Sequence, residues 1–391
     1  MIKLWKQEKD CTGCAACAQI CPKQAIEMRE NEKGFVFPYI DGTHCIECGL
    51  CVKICPMKKA EKELSNSPQA FALQHKDPYV LEQSSSGGAF TAIAETFAQG
   101  EFVIFGASID EQLQVTHKSI KSLTQLDQLR KSKYVQSNTG DTFREVRSCL
   151  QKGIKVLYVG TPCQIAGLKA FLGREEELLL TCDLICEGVQ SQRFFDQYVD
   201  YMGKKYKTPI KKVEFRNKEK YGWERSCLVL ELENGKRYSS ICQTKDNAYM
   251  NSCLFQGGNR DSCYSCKFNR IPRQGDFTLG DLWGWNKIVP QWNDKKGISL
   301  VLANSKKASD MILEIQKNAF LLPISFDAAV QKNPNIVRST EAPPRREEYI
   351  ADLERLDFAM LAQKWLKPRS TFRKCLSQIK YMIRRNKLIG K

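Results

Sequence analysis

The sequence of 391 residues has little of what several enzyme classes and membrane proteins require. Its three histidines, His44, His75 and His117, lie in no triad pattern or H-E-x-x-H motif, so hydrolase and zinc-peptidase chemistry has no support. No apolar run approaches the roughly 18 residues of a membrane span, and the first ten residues lack a signal-peptide stretch. We therefore expect a soluble, cytoplasmic protein.

Glycine and proline occur in ordinary numbers, 24 and 14, which excludes a collagen-like or disordered chain. The apolar share of 42% and the aromatic share of 10% are enough to build sizeable cores in two or more domains. Positive charge is in excess, because 60 Lys and Arg against 44 Asp and Glu give a net charge of +16. These proportions predict a folded, basic protein.

Cysteine is abundant, with 18 residues, which in a reducing compartment favours metal or redox sites over disulfides. The spacing C-x2-C-x2-C-x3-C-P occurs twice, at residues 11–22 and 45–56, and residues 8–58 resemble the bacterial two-cluster ferredoxin domain. In that spacing three thiolates wrap one 4Fe-4S cube and the fourth binds the other. Two zinc sites are the alternative, although zinc usually has paired C-x2-C knuckles. We predict one cluster on Cys11, Cys14, Cys17 and Cys55, and another on Cys45, Cys48, Cys51 and Cys21.

The rest of the chain is predicted to be a mixed α/β domain with a helical extension. A charged and then Ser/Asn/Pro-containing stretch predicts a linker over residues 61–67. Alternating helix and strand patterns predict an α/β lobe over 68–205, and extended segments with a two-residue Asn234-Gly235 hairpin turn predict a mixed β-rich lobe over 206–330. The fold class is therefore α+β / α/β. We expect a small di-cluster ferredoxin-like domain (1–60), a mixed α/β domain (68–330) and a basic helical extension (331–391).

The positive charge is concentrated at the carboxyl-terminal end of the sequence. Between Phe358 and Lys391 there are ten Lys and Arg and no Asp or Glu. Apolar residues at near-helical spacing predict a basic amphipathic helix, which can contact an anionic membrane surface or an acidic partner, or be solvated. No nucleic-acid-binding motif accompanies it, so we expect no nucleic-acid partner. Peripheral contact with the inner face of a membrane is the prediction for this segment.

A second group of cysteines is spread over about 100 residues of the main domain. One C-x-x-C and several cysteines that follow predicted strands can be brought together around a third cluster or a zinc ion. Buried thiols without a ligand role are the alternative, because free cysteine is among the most buried residue types. The group comprises Cys163, Cys182, Cys186, Cys253, Cys263 and Cys266.

Four segments resemble, in this order, motifs of the coenzyme F-420 hydrogenase/dehydrogenase beta-subunit family: GTPCQIAGL, CDLICEGVQS, FRNKEKYGW and SCYSCKFNRIPRQGDFTLGDLWG. The resemblance covers about residues 68–330 and implies a flavoprotein with an iron-sulfur cluster in this domain. Its cysteine motifs correspond here to Cys163, Cys186, Cys263 and Cys266, with Cys253 and then Cys182 as substitutes. Where the family often has His-Gly-Val-Pro-Ser, this chain has Glu-Gly-Val-Gln-Ser at 187–191, which puts the use of the deazaflavin F-420 in question.

FAD is the cofactor that the resemblance implies for the same domain. No intact G-x-G-x-x-G follows a strand, so a Rossmann dinucleotide site has no support. The loop with Ser86, Gly87 and Gly88 resembles the family's Ser-Gly-Gly motif and precedes a predicted helix whose amino terminus suits phosphate; a serine cap on a glycine loop is the alternative. Tryptophan can cover an isoalloxazine or belong to the core. The other expected contacts are Lys133, Tyr134, Gln136, Ser137, Thr161, Asp281 and Trp283.

Together these features predict an iron-sulfur flavoprotein oxidoreductase that relays electrons between a ferredoxin-type or deazaflavin donor and a small-molecule substrate. Its partner would be a ferredoxin or another oxidoreductase subunit, and its acid–base residues are unassigned. Relatives with this architecture are also encoded among bacterial polysaccharide-biosynthesis genes, which extends the hypothesis to that pathway class. A non-catalytic electron-transfer adapter subunit and a zinc-binding scaffold are the competing hypotheses.

Overall fold

The computed structural model describes residues 2–59, 67–242, 244, 247–292 and 295–366. The predicted linker, apart from Ser67, and the basic segment beyond residue 366 lie outside the described residues. The amino-terminal domain contains an antiparallel hairpin, β1 (Ile26–Glu30) and β2 (Val36–Ile40), and two short helices, α1 (Ala16–Ile20) and α2 (Leu50–Lys53). Each helix begins directly after a residue in the left-handed conformation, Ala15 or Gly49. The two cysteine motifs therefore fold alike.

A mixed eight-stranded sheet forms the centre of the main domain. Its strands are β3 (Gln69–His75), β4 (Phe102–Ile109), β5 (Val115–Ile120), β6 (Lys155–Gly160), β7 (Leu179–Leu184), β11 (Phe277–Asp281), β12 (Ser299–Ala303) and β13 (Ala319–Ile324). They are ordered β13-β3-β12-β11-β7-β6-β4-β5. Strands β4, β6, β7 and β11 are parallel to their neighbours in this series, so their carboxyl ends meet at one edge.

A separate antiparallel sheet contains β8 (Ile210–Asn217), β9 (Cys227–Leu232) and β10 (Arg237–Ile241). The predicted hairpin joins β9 to β10, but Gly235 supplies the positive φ of 78° and the Leu232 amide donates to the Lys236 carbonyl, so the loop is longer than two residues. The boundary expected near residue 205 does not separate the two sheets, because β11, β12 and β13 return to the main sheet. This insertion-like arrangement places the small sheet beside the carboxyl ends of the parallel strands.

Helices cover both faces of the main sheet and support the small one. They are α3 (Pro78–Gln83), α4 (Ala89–Phe97), α5 (Thr142–Gln151), α6 (Pro162–Leu172), α7 (Gln192–Tyr206), α8 (Ala248–Asn251), α9 (Trp285–Ile288), α10 (Lys306–Asn318), α11 (Phe326–Lys332), α12 (Arg346–Arg355) and α13 (Phe358–Lys364). Short 3-10 turns occur at Glu8–Asp10, Pro56–Lys58, Leu123–Gln128, Trp223–Arg225, Asp261–Ser265 and Pro334–Ile336, and a π turn at Ser252–Gln256. In the described ranges, no helix is both long and apolar enough to cross a bilayer.

Helix α6 shows why the sequence folds as it does at the strand edge. Thr161 caps the helix together with Gln164, and Pro162 occupies its first position, where a missing amide hydrogen has no cost. Gly173, with a φ of 76°, ends it in the left-handed conformation. The cap fixes Cys163 in the first turn of the helix, directly after β6.

Three large apolar clusters hold these layers together. Phe71, Ile93 and Leu157 belong to the cluster between the main sheet and helices α4 and α10. Phe143 and Ile165 belong to the cluster beneath α5 and α6 on the other face, and this cluster also includes Cys14 and Ala16 of the amino-terminal domain. The third cluster joins α7, the small sheet, α12 and α13. The predicted fold class, a small amino-terminal domain followed by a mixed α/β domain, is confirmed.

Gly87 is packed too tightly to accept a side chain. A Cβ atom there would lie 2.3 Å from the Leu73 carbonyl oxygen and 2.6 Å from the Ser299 amide nitrogen, both backbone atoms of strands. We expect Gly87→Ala to lower the free energy of unfolding by about 1–3 kcal/mol, measured by urea denaturation. Gly203→Ala is the matched control, since its Cβ would meet no atom closer than 3.5 Å. An equal effect of the two substitutions would contradict this account of Gly87.

Candidate functional site

Two cavities of the amino-terminal domain are each lined by four cysteines. One has about 420 Å³ of empty space, part of it open to solvent, and the cysteines at its wall are Cys11, Cys14, Cys17 and Cys55. The other has about 350 Å³, also partly open to solvent, and its cysteines are Cys21, Cys45, Cys48 and Cys51. We call these the first and second thiol sets. In each set three thiols come from one motif and the fourth from the other motif, as the interleaved prediction requires.

The backbone of each motif is shaped to surround an anion. Gly13 and Glu47, each two residues after the first cysteine of its motif, have φ values of 70° and 52°, and Ala15 and Gly49 follow with φ of 60° and 71°. Alternation of left- and right-handed residues turns successive amide groups toward one concave side, which is a common geometry at iron-sulfur sites. The Gly13 amide donates to the Cys11 sulfur at 3.4 Å. The concavity therefore suits a negatively charged cube.

Burial dominates the electrostatics of the first set. It raises the pKa of the Cys14 thiol to about 12 and that of Cys17 well above its usual range, and the charge of Cys11 adds to both shifts. Cys55 exerts the same influence on Cys11, Cys14 and Cys17. The four thiols are therefore close neighbours, and binding of a metal cluster would have to displace their protons.

A third thiol set lies where the parallel strands of the main sheet end. Cys163 follows β6, Cys186 follows the adjacent β7, and Cys263 and Cys266 lie in and after the 3-10 turn at 261–265. Burial raises the pKa of Cys186 well above its usual range, and the charges of Cys263 and Cys163 add to it. It also raises the pKa of Cys163 to about 11, with Cys266 as the next cause. The structure brings these four thiols together.

Hydrogen-bond donors surround the sulfurs of the third set. The backbone amides of Gly188 and Val189 lower the pKa of Cys186 and Cys263 respectively, against the stronger effect of burial. The Thr161 hydroxyl lies 3.1 Å from the Cys163 sulfur. Bonds of this kind hold thiolates and set the potential of an iron-sulfur cluster.

The substitute cysteines lie elsewhere. Cys253 is buried beside Gln190 and Cys242, and Cys182 lies in the core of β7 beside Asp183 and Asp276. Within the described residues, no three His, Cys, Asp or Glu side chains are grouped to hold a single metal ion. The first two thiol sets instead line cavities.

The first and third sets are neighbours across the domain boundary. Cys14 packs on Gly167 of α6, where a Cβ atom would lie 3.0 Å from its sulfur. The charge of Cys163, in the first turn of the same helix, raises the pKa of Cys14. Gln136, predicted as a flavin contact, lies at this boundary instead and donates to the Thr12 carbonyl at 2.8 Å. The three thiol sets therefore form a series rather than separate sites.

A group of polar and aromatic side chains, here called the polar cluster, lies beside the third set at the same strand edge. Arg216 binds both carboxylate oxygens of Asp281, at 2.7 and 3.0 Å, and the Trp223 indole donates to Asp281 at 2.8 Å. Trp283 stacks on Trp223 with ring centroids 5.1 Å apart and planes 3° from parallel. Burial acts to raise the pKa of Asp281, but the Arg216 charge and these hydrogen bonds lower it. The Asp281 carboxylate thus stays ionised.

Two predicted flavin residues lie in the polar cluster. Ser86 lies beside Asp281 and donates to the Ile298 carbonyl at 3.0 Å, and Tyr134 lies beside Arg216. Glu187 lies beside them with an exposed side chain, yet the surrounding protein raises the pKa of its carboxyl, and the charge of Asp281 adds to this. Sequence reasoning missed Arg216, although it stands in the FRNKEKYGW segment that carried the family resemblance.

Other predicted flavin residues make internal contacts. Gly88 caps α4, where a Cβ atom would lie 2.8 Å from that of His75. Ser137 hydrogen-bonds the buried His117 ring at 2.8 Å, and Thr161 caps α6. Lys133 donates to the Leu129 and Arg130 carbonyls, and burial lowers its pKa to about 7. Gly87 packs on β3 and β12, as described above. Contacts of these residues with the protein itself account for their positions.

Two family models match segments of the chain. Residues 10–59 match the 4Fe-4S dicluster domain, and residues 153–324 match the carboxyl-terminal region of the coenzyme F420 hydrogenase/dehydrogenase beta-subunit family. No curated protein is significantly similar in sequence. A chain of the xenon-derivatised F420-reducing NiFe hydrogenase complex from Methanosarcina barkeri is 16% identical, with a TM-score of 0.45, over 68% of this chain and 89% of that chain.

The protein is therefore an iron-sulfur electron-transfer protein. Residues 153–324 are related to the carboxyl-terminal region of the coenzyme F420 hydrogenase/dehydrogenase beta-subunit family and follow a 4Fe-4S dicluster domain at 10–59, so the predicted resemblance is confirmed.

A buried ion pair joins the two loops that carry the third thiol set. Arg273 and Asp183, both with fully buried side chains, are 3.0 Å apart, and Asp183 also accepts from Thr278 at 2.6 Å. Asp183 precedes Cys186 by three residues, and Arg273 follows Cys266 by seven. The pair therefore holds both loops at the end of β7.

We expect Asp183→Asn to lower the free energy of unfolding by about 3–5 kcal/mol, because it leaves the Arg273 charge buried without a counter-charge. Asp310→Asn removes an exposed pair with Lys306 on α10 and should cost about 0.3–0.5 kcal/mol. Urea denaturation of both variants measures the difference. Similar costs for the two would show that the buried pair has no special role.

Proposed function

We propose that the protein is an iron-sulfur flavoprotein oxidoreductase with three 4Fe-4S clusters and FAD, which exchanges electrons with a partner protein and converts a small molecule. The observation that carries this proposal is the placement of three four-thiol sets, the third of which lies beside the polar cluster. The charge of Cys163 of the third set raises the pKa of Cys14 of the first set, so these two sets are adjacent. A chain with only two clusters would not need the third set.

The residues present fit the groups proposed. Each thiol set offers four sulfurs and backbone donors to a cube, and bound clusters supply one-electron transfer while FAD supplies two-electron chemistry. In the polar cluster, Trp283 is the more exposed ring of the stacked tryptophan pair. Arg216 is paired with Asp281, which fixes the orientation of its guanidinium group. These residues would position a flavin and its substrate.

Glu187 adds a carboxyl group to the polar cluster, beside Asp281 and Arg216. Its raised carboxyl pKa follows from the surrounding protein and from Asp281, while Arg216 opposes the shift. It stands where the family often has histidine, so a different acid–base group faces the substrate here. Use of F-420 and a role in polysaccharide biosynthesis remain predictions of the family resemblance.

The test is the content of iron, acid-labile sulfide, zinc and flavin in anaerobically purified protein. Three cubes predict about twelve irons per chain, with one flavin. Cys186→Ser should lose about four irons, whereas the matched Cys253→Ser, which removes a buried thiol outside the third set, should retain about twelve. About eight irons and no flavin, even after FAD is supplied, would refute the proposal and favour an adapter subunit. Zinc without sulfide would favour a scaffold.

The second thiol set is the proposed entrance for electrons. Cys48 is exposed, and Ile46 and Leu50 beside it are 58% and 37% exposed. Lys23 lines the same cavity, and Lys53 ends the helix that begins at Leu50, both with exposed side chains. An apolar centre with basic residues around it suits an acidic electron carrier such as a ferredoxin.

We expect the double variant Lys23→Glu/Lys53→Glu to slow reduction by an acidic ferredoxin at least about tenfold at low salt, because charge steering is lost. Stopped-flow reduction of the clusters measures the rate, and high salt should remove the difference between variant and wild type. Lys306→Glu changes an exposed lysine on α10 and should have little effect. Equal rates for the double variant and wild type would place the docking surface elsewhere.

A further inference from the structure

Arg260 is a buried cation between the first and third thiol sets. Its side chain is among the largest that are fully buried, with 1% of the residue exposed. The guanidinium donates to the Cys11 carbonyl at 2.8 Å, the Val36 carbonyl at 3.0 Å and the Gln136 side chain at 3.2 Å. Each of these acceptors is neutral, so the hydrogen bonds satisfy the guanidinium without balancing its charge.

In the described part of the chain, no carboxylate forms an ion pair with Arg260. The nearest candidate in sequence, Asp261, is instead paired with Lys33 and Arg346. Two aromatic rings also pack against the guanidinium group of Arg260. Its central carbon lies 4.2 Å from the ring centroid of Phe37 and 5.5 Å from that of Phe35. A buried charge with only dipoles and rings around it is costly unless an anion lies nearby.

The thiols of both sets provide that anion when they bind clusters. Arg260 contacts Cys11 of the first set through its Nε and Cys263 of the third set through its own carbonyl. A 4Fe-4S cube with four thiolates carries net negative charge, which increases when it gains an electron. Gly13 leaves the space for this contact, since a Cβ there would lie 2.9 Å from the guanidinium.

The backbone of Arg260 completes a link between the two sets. The Cys263 amide donates to the Arg260 carbonyl at 2.9 Å, and the Arg260 Nε donates to the Cys11 carbonyl at 2.8 Å. Two hydrogen bonds and one residue therefore connect a cysteine of the third set to a cysteine of the first. This is a short route through bonds between sites that belong to different domains.

We propose that Arg260 is the shared counter-ion of the first and third clusters and the positioning residue that couples them. The inference rests on the third cluster of the proposed function. Because a positive charge stabilises the reduced, more negative form of a cluster, Arg260 raises the potentials of both. Arg260 itself gains and loses neither an electron nor a proton: one electron that leaves the first site, oxidising it, reduces the third.

The experiment is an EPR-monitored redox titration of the full chain with its clusters loaded. Arg260→Gln should shift the midpoint potentials of the first and third clusters to more negative values and leave the second cluster unchanged as an internal reference. Arg193→Gln is the matched control, because Arg193 also joins the two domains, through Glu30 at 2.7 Å, but touches no thiol set. It should leave all three potentials unchanged. Signals are assigned by their loss in Cys186→Ser and Cys48→Ser.

Potentials in Arg260→Gln equal to those in Arg193→Gln would overturn the proposal, as would an equal shift of all three clusters, which indicates a general loosening. If Arg260→Gln does not retain iron, Arg260→Lys decides, since it keeps the charge without the planar fork. The Lys variant should keep both potentials near wild type but show weaker spin coupling between the first and third clusters; lowered potentials there would refute the counter-ion role. Wild-type protein with only two clusters would instead refute the proposed function itself.

Discussion

The packing of Cys14 against Gly167 is the contact on which the arrangement of the thiol sets depends. Helix α6 carries Cys163 in its first turn and Gly167 four residues later, and residues four apart lie on the same face, about 6 Å along the axis. One helix thus supplies a thiol to the third set and the surface on which the first set rests. Because the helix is rigid, it fixes the separation of the two sets, and the rest of the domain boundary follows from that placement.

The two buried arginines of this region are balanced in opposite ways. Arg273 meets a carboxylate, Asp183, which also accepts from Thr278 and from two backbone amides, so that pair is complete within the protein. Arg260 contacts neutral carbonyls and aromatic rings, which do not balance its charge. A negatively charged group bound by the neighbouring thiols would balance it. Arg273 therefore stabilises the loops that carry the cysteines, whereas the charge of Arg260 can interact with a group bound by the thiols.

The first two thiol sets could be predicted from sequence because their members are close in the chain and their spacing has a chemical reason. The third set could not be assigned by spacing, since Cys163 and Cys266 are about 100 residues apart, and the family resemblance selected the four that the structure brings together. The pairing of strands could not be predicted from the sequence, because alternating polar and apolar residues indicate a strand but not the sheet to which it belongs. For this reason β11 to β13 were expected in the second lobe, although they belong to the main sheet.

The flavin residues show a different limit of sequence reasoning. Motif residues such as Gly87 and Ser137 recur for packing and hydrogen bonding as well as for binding, and here they contact strands and His117. Arg216 and Arg260 were missed because a single arginine carries no pattern. Only burial distinguishes them: Arg216 is 4% and Arg260 1% exposed in a chain with 60 Lys and Arg.

The two copies of the duplicated cysteine motif have different surroundings, although their cysteine spacing is the same. They share their spacing and their left-handed backbone positions, yet one faces α6 and Arg260 while the other presents Cys48 and Ile46 to the surface. A duplication of this kind begins as a symmetric object with interchangeable ends. Because a second domain is attached on one side alone, the two ends of the duplicated motif are no longer equivalent for electron transfer. The inner and outer ends are defined by what each copy contacts rather than by its ligands.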